Sequence, residues 1–590
     1  MGALAEERLI SDYGLIGDTR TAALVSSAGA IDWLCLPRFD GDPVFARLIG
    51  GPEGGSFRLG PAEPYELVRR RYHPGLTTLE TTWRTEGSEL VAVDAMVSQT
   101  HGRTLPSTVL VRRVEVRGRP APVEVLLDPV RGRAERPRWS RRAGALVASW
   151  GDVALALCDG GAGIAPSEPT RIVVEPGRPL ILTLTAAHRQ PLIYVPPAVG
   201  WQAVQDSERW WREWSDKVDY NGRYRGQVIR SLITLKLLTY SPSGAPVAAP
   251  TSSLPEKLGG ESNYDYRYAW PRDAAIGIAT FLGLGCHDEA EGFFYWLLHA
   301  TRLTRPRLPP ALTLDGNPIP EERTLEWPGY RDSRPVRFGN VVGDQQQLDV
   351  YGFVLDAASI LVDQGHPLFG EMWRALRGSA DHVADHWREP GNGIWEIRGD
   401  PRQWVHSKLL AWLALDRAQR IGRRRGEKAA RLQRWEAAKR AIHAEVLERG
   451  FDARRQTYVG EYDRPELDGA LLLLPVIGME EPTSPRVVGT VDAVARELHA
   501  GGPFFYRHAP QGEGAFLPVS FWMVQALAFT GRHDEARELF EKLLPVGGPL
   551  GLLAEEADPT SGELLGNYPQ ALSHAALLQA ALALQNASSR

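Results

Sequence analysis

From about residue 223 to the C-terminus, apolar residues recur with a helical period, and the connections between the implied helices alternate long and short. The pattern predicts helices over 223–241, 272–285, 288–302, 345–365, 370–387, 403–422, 427–448, 466–476, 485–499, 516–530, 533–545 and 569–587. The gaps 242–271, 303–344 and 388–402 are long, while 286–287, 366–369 and 423–426 are short. The rhythm continues through 449–465, 477–484, 500–515, 531–532 and 546–568. A short turn makes an antiparallel helix pair, so the alternation puts the long loops at one end of the assembly. Six such pairs closing on themselves make an (α/α)6 barrel with one loop-rich face. Long loops in a compact domain usually carry function, so that rim is where chemistry is expected.

Residues 1–200 have a different period. LETTWR, ELVAVDAMV, TVLVRRVEVRG, PVEVLLDPV, DVALALCDG, TRIVVE and LILTLTAAH are short, rich in Val, Leu and Thr, and mostly separated by Gly, Pro, Asn or Asp. That spacing predicts an antiparallel β-sandwich, not βαβ units. AVQDSERWWREWSDKV reads as a linker helix within 201–222, and 223–590 as the barrel. The expected class is α+β multidomain, sandwich then barrel.

Charge and cysteine content narrow the function. A net charge of −5 with both signs spread along the chain lacks the basic face that nucleic acid requires. The cysteines, Cys35, Cys158 and Cys286, are three and far apart, which fits neither a disulfide framework nor a zinc-ligand pair. MGALAEERLISDYGLIGDT has no basic start and no apolar core, and no run has the length of a membrane span, so a cytoplasmic protein without membrane contact is expected. Oligomeric state is not legible. Eighteen Trp, several in loops (Trp270, Trp327, Trp395), suit stacking on sugar faces as well as ordinary core packing.

The long loops carry the candidate chemistry. NYDYRYAWPRD brings Asp265, Arg267, Trp270, Arg272 and Asp273 to a helix entry; GIWEIRG carries Trp395 and Glu396; YRHAPQGEGAF carries Arg507 and Glu513; EEADPTSGELLGNYPQ carries Glu563. Two carboxylates in separate loops are what an inverting glycosidase needs, one to protonate the departing oxygen and one to activate water on the opposite sugar face. Apolar neighbours Ile394, Trp395 and Ile397 favour a protonated Glu396, the general acid. Glu563, beside Gly562, suits the general base, with Glu555 and Glu556 as competitors that spacing alone does not separate. Arg272–Asp273 suits directional bonds to sugar hydroxyls, though a helix N-terminal pair is a plainer account. Arg507–Glu513 likewise reads equally as a surface ion pair.

These motifs resemble bacterial members of glycoside hydrolase family 15, the glucoamylase and trehalase family. The similarity covers nearly the whole chain through SDYGLIGDTRTAALVSSAGAIDWLCLPRFD, YAWPRD, GNVVGDQQQLDVYG, GIWE, SKLLAWLALDRA, EGAFLPVSFW and TSGELLGNYPQALSHAAL. It implies Glu396 as acid and Glu563 as base, the latter on its spacing to Ser573 and His574. It also implies that Arg272, Asp273 and Arg507 bind substrate, and Trp270, Trp395 and Glu513 on the same rim are expected to join them. No cofactor is implied; acidic loops leave a divalent cation such as calcium open. The expected substrate is an α-glucoside, namely trehalose, a maltooligosaccharide or an isomaltose-type glucan, cut from the nonreducing end. Departures are Ile397 where fungal members have a second acid, Phe353 where relatives have Glu, and Pro271 where they have Leu. A sandwich loop with Arg38 and Phe39 either approaches the pocket or stabilises the domain interface. A disaccharide phosphorylase and a silent glucan-binding protein are the competing functions.

Overall fold

The computed structural model describes residues 8–98, 107–132, 135–302, 304–509 and 512–588. Two antiparallel sheets build the N-terminal part. One has strands Tyr13–Gly17, Ala22–Ser26, Ala30–Leu36, Ser56–Pro61, Ala121–Asp128 and Thr170–Val174 in that spatial order, with Asp42–Phe45 on the third. The other runs Trp139–Arg142, Ala145–Trp150, Val153–Cys158, Leu180–His188, Thr108–Gly118, Ser88–Met96, Leu79–Thr85 and Glu66–Tyr72. Ala121–Asp128 alternates buried and half-buried residues along its whole length, the mark of a strand with one face on a core. The helix Pro197–Asp216 starts on a proline at its first position, where the missing N–H costs nothing.

Helices Arg225–Leu237, Pro271–Gly283, His287–Ala300, Asp349–Asp363, Gly370–His386, Val405–Arg424, Ala429–Arg449, Pro485–Glu497, Leu517–Phe529, His533–Leu543 and Ala571–Ser588 follow. The inner helices are apolar all round: in Leu517–Phe529 every residue through Ala528 is buried, as expected for helices enclosed by others. The antiparallel sheet domain followed by these paired helices forms a β-sandwich and an (α/α)6 barrel. No described helix is long and apolar enough to cross a membrane.

Two predicted helices come out differently. The 466–476 segment is a 3-10 stretch, Gly469–Leu473, running into one short turn, Leu474–Ile477. Its Leu run is buried on all sides, Pro475 donates no N–H, and Gly478 at φ +75° ends it. The helix expected from 345 begins at Asp349, because Gln345–Gln347 are taken up by the Glu396 loop.

The sandwich docks on the loop-bearing end of the barrel through backbone-directed bonds. Trp33 Nε1 donates to Pro250 O at 2.7 Å, and Arg267 Nη1 to Gly41 O at 2.8 Å. Tyr568 OH donates to Tyr13 O at 2.7 Å. Arg38 pairs with Asp40 and with Asp315 of a barrel loop and so serves this interface, while Phe39 is buried. Asp265 and Arg267 form a buried two-point ion pair at 2.9 and 2.7 Å, which shapes the first loop from beneath.

Candidate active site

Glu396 sits at φ +57°, a left-handed conformation that a residue with a side chain adopts at a cost of about 1–3 kcal/mol and that clusters at functional sites. The surrounding loop holds it there. Ile397 N donates to Asn392 O at 3.2 Å, Asn392 Nδ2 returns to Ile397 O at 3.0 Å, and Gln345 Nε2 donates to Glu396 O at 3.0 Å. Gly393 is required, since a Cβ there would come within 2.9 Å of the Trp404 ring. Trp395 and Glu396 both line a cleft. Trp395 is anchored by Nε1, which donates to Asp468 Oδ1 at 2.8 Å, and its ring packs edge-on against Phe516.

On the cleft side, Trp270 Nε1 donates to Glu396 Oε1 at 2.7 Å, and Arg272 Nη1 lies 3.3 Å from the same oxygen. Arg272 also donates to Ile394 O at 2.9 Å and to Asp273 Oδ1 at 2.7 Å. Trp270, Arg272 and Asp273 reach the cleft because the Pro271–Gly283 helix begins there. Pro271 occupies its first position, which explains that departure as a helix-starting residue. Burial pushes the Glu396 carboxyl above its usual range; Arg272 opposes this and Asp273 adds to it.

The cleft, roughly 440 Å3 including its open mouth, is lined by Tyr266, Trp270, Arg272, Asp273, Trp395, Glu396, Arg507, Phe516, Glu555 and Gln570 among others. The residue set differs from the sequence expectation in one decisive place: the last loop contributes Glu555, not Glu563.

The reason is a hairpin. Glu556–Ala557 pairs with Leu564–Leu565, and Asp558 N donates to Glu563 O at 2.8 Å. Glu563 therefore lies past the pairing, toward the turn, where Arg331 Nη1 holds its carboxylate at 2.6 Å. Glu555 precedes the first strand and meets the cleft. Glu556 is buried and faces Arg507, 3.9 Å away, alongside Glu256 and Glu513. Ser573 and His574 lock this register: Ser573 Oγ donates to Ala554 O at 2.7 Å, and Leu553 N donates to His574 Nε2 at 3.1 Å. The spacing to Ser573 and His574 thus points to the right loop, but those residues hold the backbone just before Glu555.

Glu555 accepts a bond from Tyr266 OH at 2.8 Å, and its other oxygen has no partner among the described protein groups. An unpaired buried acceptor costs about 1–3 kcal/mol, so Glu555 is not held here for stability. Burial drives the Glu555 carboxyl well up, Glu256 adds to it, and Arg507 and the Tyr266 bond oppose.

Arg507 and Glu513 are more than a surface pair. Arg507 Nη2 lies 2.6 Å from Glu256, 2.7 Å from Glu513 and 3.9 Å from Glu556. Glu256, Glu513 and Glu556 are the carboxylates whose oxygens come within 4.8 Å of one another, and the guanidinium supplies positive charge at their centre. Glu513 faces Arg507 without lining the cleft. Phe353 lies away from the cleft, tilted against the His406 ring. Glu256 and Tyr266 were not singled out in the sequence, although both belong to the first long loop and Tyr266 lies within NYDYRYAWPRD. Pro510 and Gln511 of the fifth-loop motif lie outside the described residues.

Two glutamates, Glu396 and Glu555, and Asp273 at one cleft on the loop face of a sandwich-plus-(α/α)6-barrel protein fit a glycoside hydrolase. Residues 222–582 match the model of glycosyl hydrolases family 15, and residues 3–126 match a trehalase-like N-terminal domain. Trehalase of Thermoplasma volcanium is 32% identical over 98% of this chain and 94% of its own length. Trehalases of Mycolicibacterium smegmatis and Mycobacterium tuberculosis are 34% and 35% identical over 97% of the chain and 90% and 89% of their own lengths. A bacterial glucoamylase solved with acarbose superposes with a TM-score of 0.74 over 100% of this chain and 96% of its own, at 11% identity, a likeness of fold. The chain belongs to glycosyl hydrolase family 15.

Proposed function

We propose that the chain hydrolyses trehalose with inversion, with Glu396 as general acid and Glu555 as general base. The observation that carries the assignment is that Glu396 and Glu555 line the same cleft, while Glu563 does not. The reading runs as a single displacement. Arg272 and Asp273 bond to hydroxyls of the glucose entering the cleft. Glu396, kept protonated by burial, gives its proton to the bridging oxygen. Glu555 takes a proton from water, and that water attacks the sugar carbon from the opposite face. Acid and base each finish in the other's starting state, and exchange with solvent restores them.

Trehalose is favoured over maltooligosaccharides and isomaltose by the full-length similarity to proteins named trehalase. Steady-state kinetics on trehalose, maltotriose and isomaltose in parallel test this. The expected order is highest kcat/KM on trehalose; a preference for maltotriose would reassign the substrate without disturbing the acid and base.

A further inference from the structure

Behind the cleft lies a charged group that the mechanism above does not use. Asp349 opens the Asp349–Asp363 helix, is 0% exposed, and neither of its carboxylate oxygens has a hydrogen-bond partner in another described residue. A buried carboxylate held only by its own backbone N–H is expensive to keep, and its principal compensating charge is Arg272. The same guanidinium already bonds to Asp273 and approaches Glu396 on the cleft side.

The geometry points to Asp349 as a positioning residue for the acid: a second counter-charge on Arg272 that keeps this guanidinium from drawing the proton off Glu396. This rests on Glu396 being the general acid. With Arg272 and Asp273 alone, the pair is neutral and ionising Glu396 leaves one net negative charge. With Asp349 ionised as well, the same step must create a second one in a buried site, which disfavours it.

Every element packed here contributes to that balance. The Pro271–Gly283 helix supplies Arg272 and Asp273, and the segment before Asp349 supplies the neutral amide of Gln347, which bonds to Glu396. The Val405–Arg424 helix supplies His406, both of whose ring nitrogens are unpartnered. Burial together with Arg272 pulls that ring down to about 3, so it is neutral at working pH. Asp468 lies beyond, fixed to Trp395, and Arg507, Glu256 and Glu555 face the cleft from its other wall. Burial pushes Asp349 up to about 6, with Arg272 opposing, so it is largely ionised at neutral pH and above. That is the range in which Glu396 has to hold its proton.

The test is the pH dependence of kcat/KM on trehalose for wild type, Asp349→Asn and Glu396→Gln. Removing the Asp349 charge makes Glu396 easier to ionise, so the falling, high-pH limb should move down by about one unit. A carboxylate that merely favours a helix N-terminus would change the melting temperature and leave the limb in place, and that outcome overturns the inference. Glu396→Gln keeps the two ideas apart. Its residual activity should lack the limb, and a limb that persists there contradicts the acid assignment instead. Should Asp349→Asn not fold, Asp349→Ser makes the same charge change with room for water.

Discussion

Glu555→Gln is expected to lower kcat on trehalose about 10²–10⁴-fold, the usual worth of a positioned general base, whereas Glu563→Gln leaves turnover near that of wild type. The two residues share a loop and a side-chain type, so the comparison isolates position. Glu555 lines the cleft with one oxygen unpaired, and Glu563 is bound to Arg331 at the hairpin turn. A base works only when ionised, and burial together with Glu256 raises Glu555 well above the ordinary carboxylate range. Arg507 and the Tyr266 bond oppose that rise and favour the ionised base, and the rising, low-pH limb of the kcat profile reports this ionisation. Loss of that limb with Glu563→Gln, and not with Glu555→Gln, would return the base to Glu563.

The second large effect concerns the acid. Glu396→Gln keeps the bonds that Trp270 and Arg272 offer to Oε1 but has no proton to give. Turnover of trehalose should fall about 10²–10⁴-fold. α-Glucosyl fluoride, whose leaving group departs with little need of a proton, should be affected far less. Equal losses on both substrates would show that Glu396 orients the sugar and does not donate.

The barrel was legible in the sequence because a tight turn is a local feature. A two- to four-residue gap forces its helices antiparallel, and the long loops at one end follow by topology. Glu396 was legible for a similar reason, since its apolar neighbours and the Gly393 turn lie within a few residues. The base was not. Whether Glu555 or Glu563 meets the cleft is decided by the Glu556–Ala557 and Leu564–Leu565 pairing and by Ser573 and His574 gripping residues 553–554. Strand register of that kind leaves little trace in spacing. Glu256 and Tyr266 escaped notice for another reason. Each matters through a partner more than 200 positions away, Arg507 and Glu555 respectively.

The most direct test of the account is proton NMR of trehalose hydrolysis during the first turnovers, before mutarotation, in phosphate-free buffer and again with phosphate. Inversion converts the attacked glucose to the β anomer while the leaving glucose departs as α. The two anomers should therefore appear in equal initial amounts, independent of phosphate. Initial release of α-glucose alone would mean retention, and a sugar phosphate formed only with phosphate would mean phosphorolysis; either result contradicts water attack guided by Glu555.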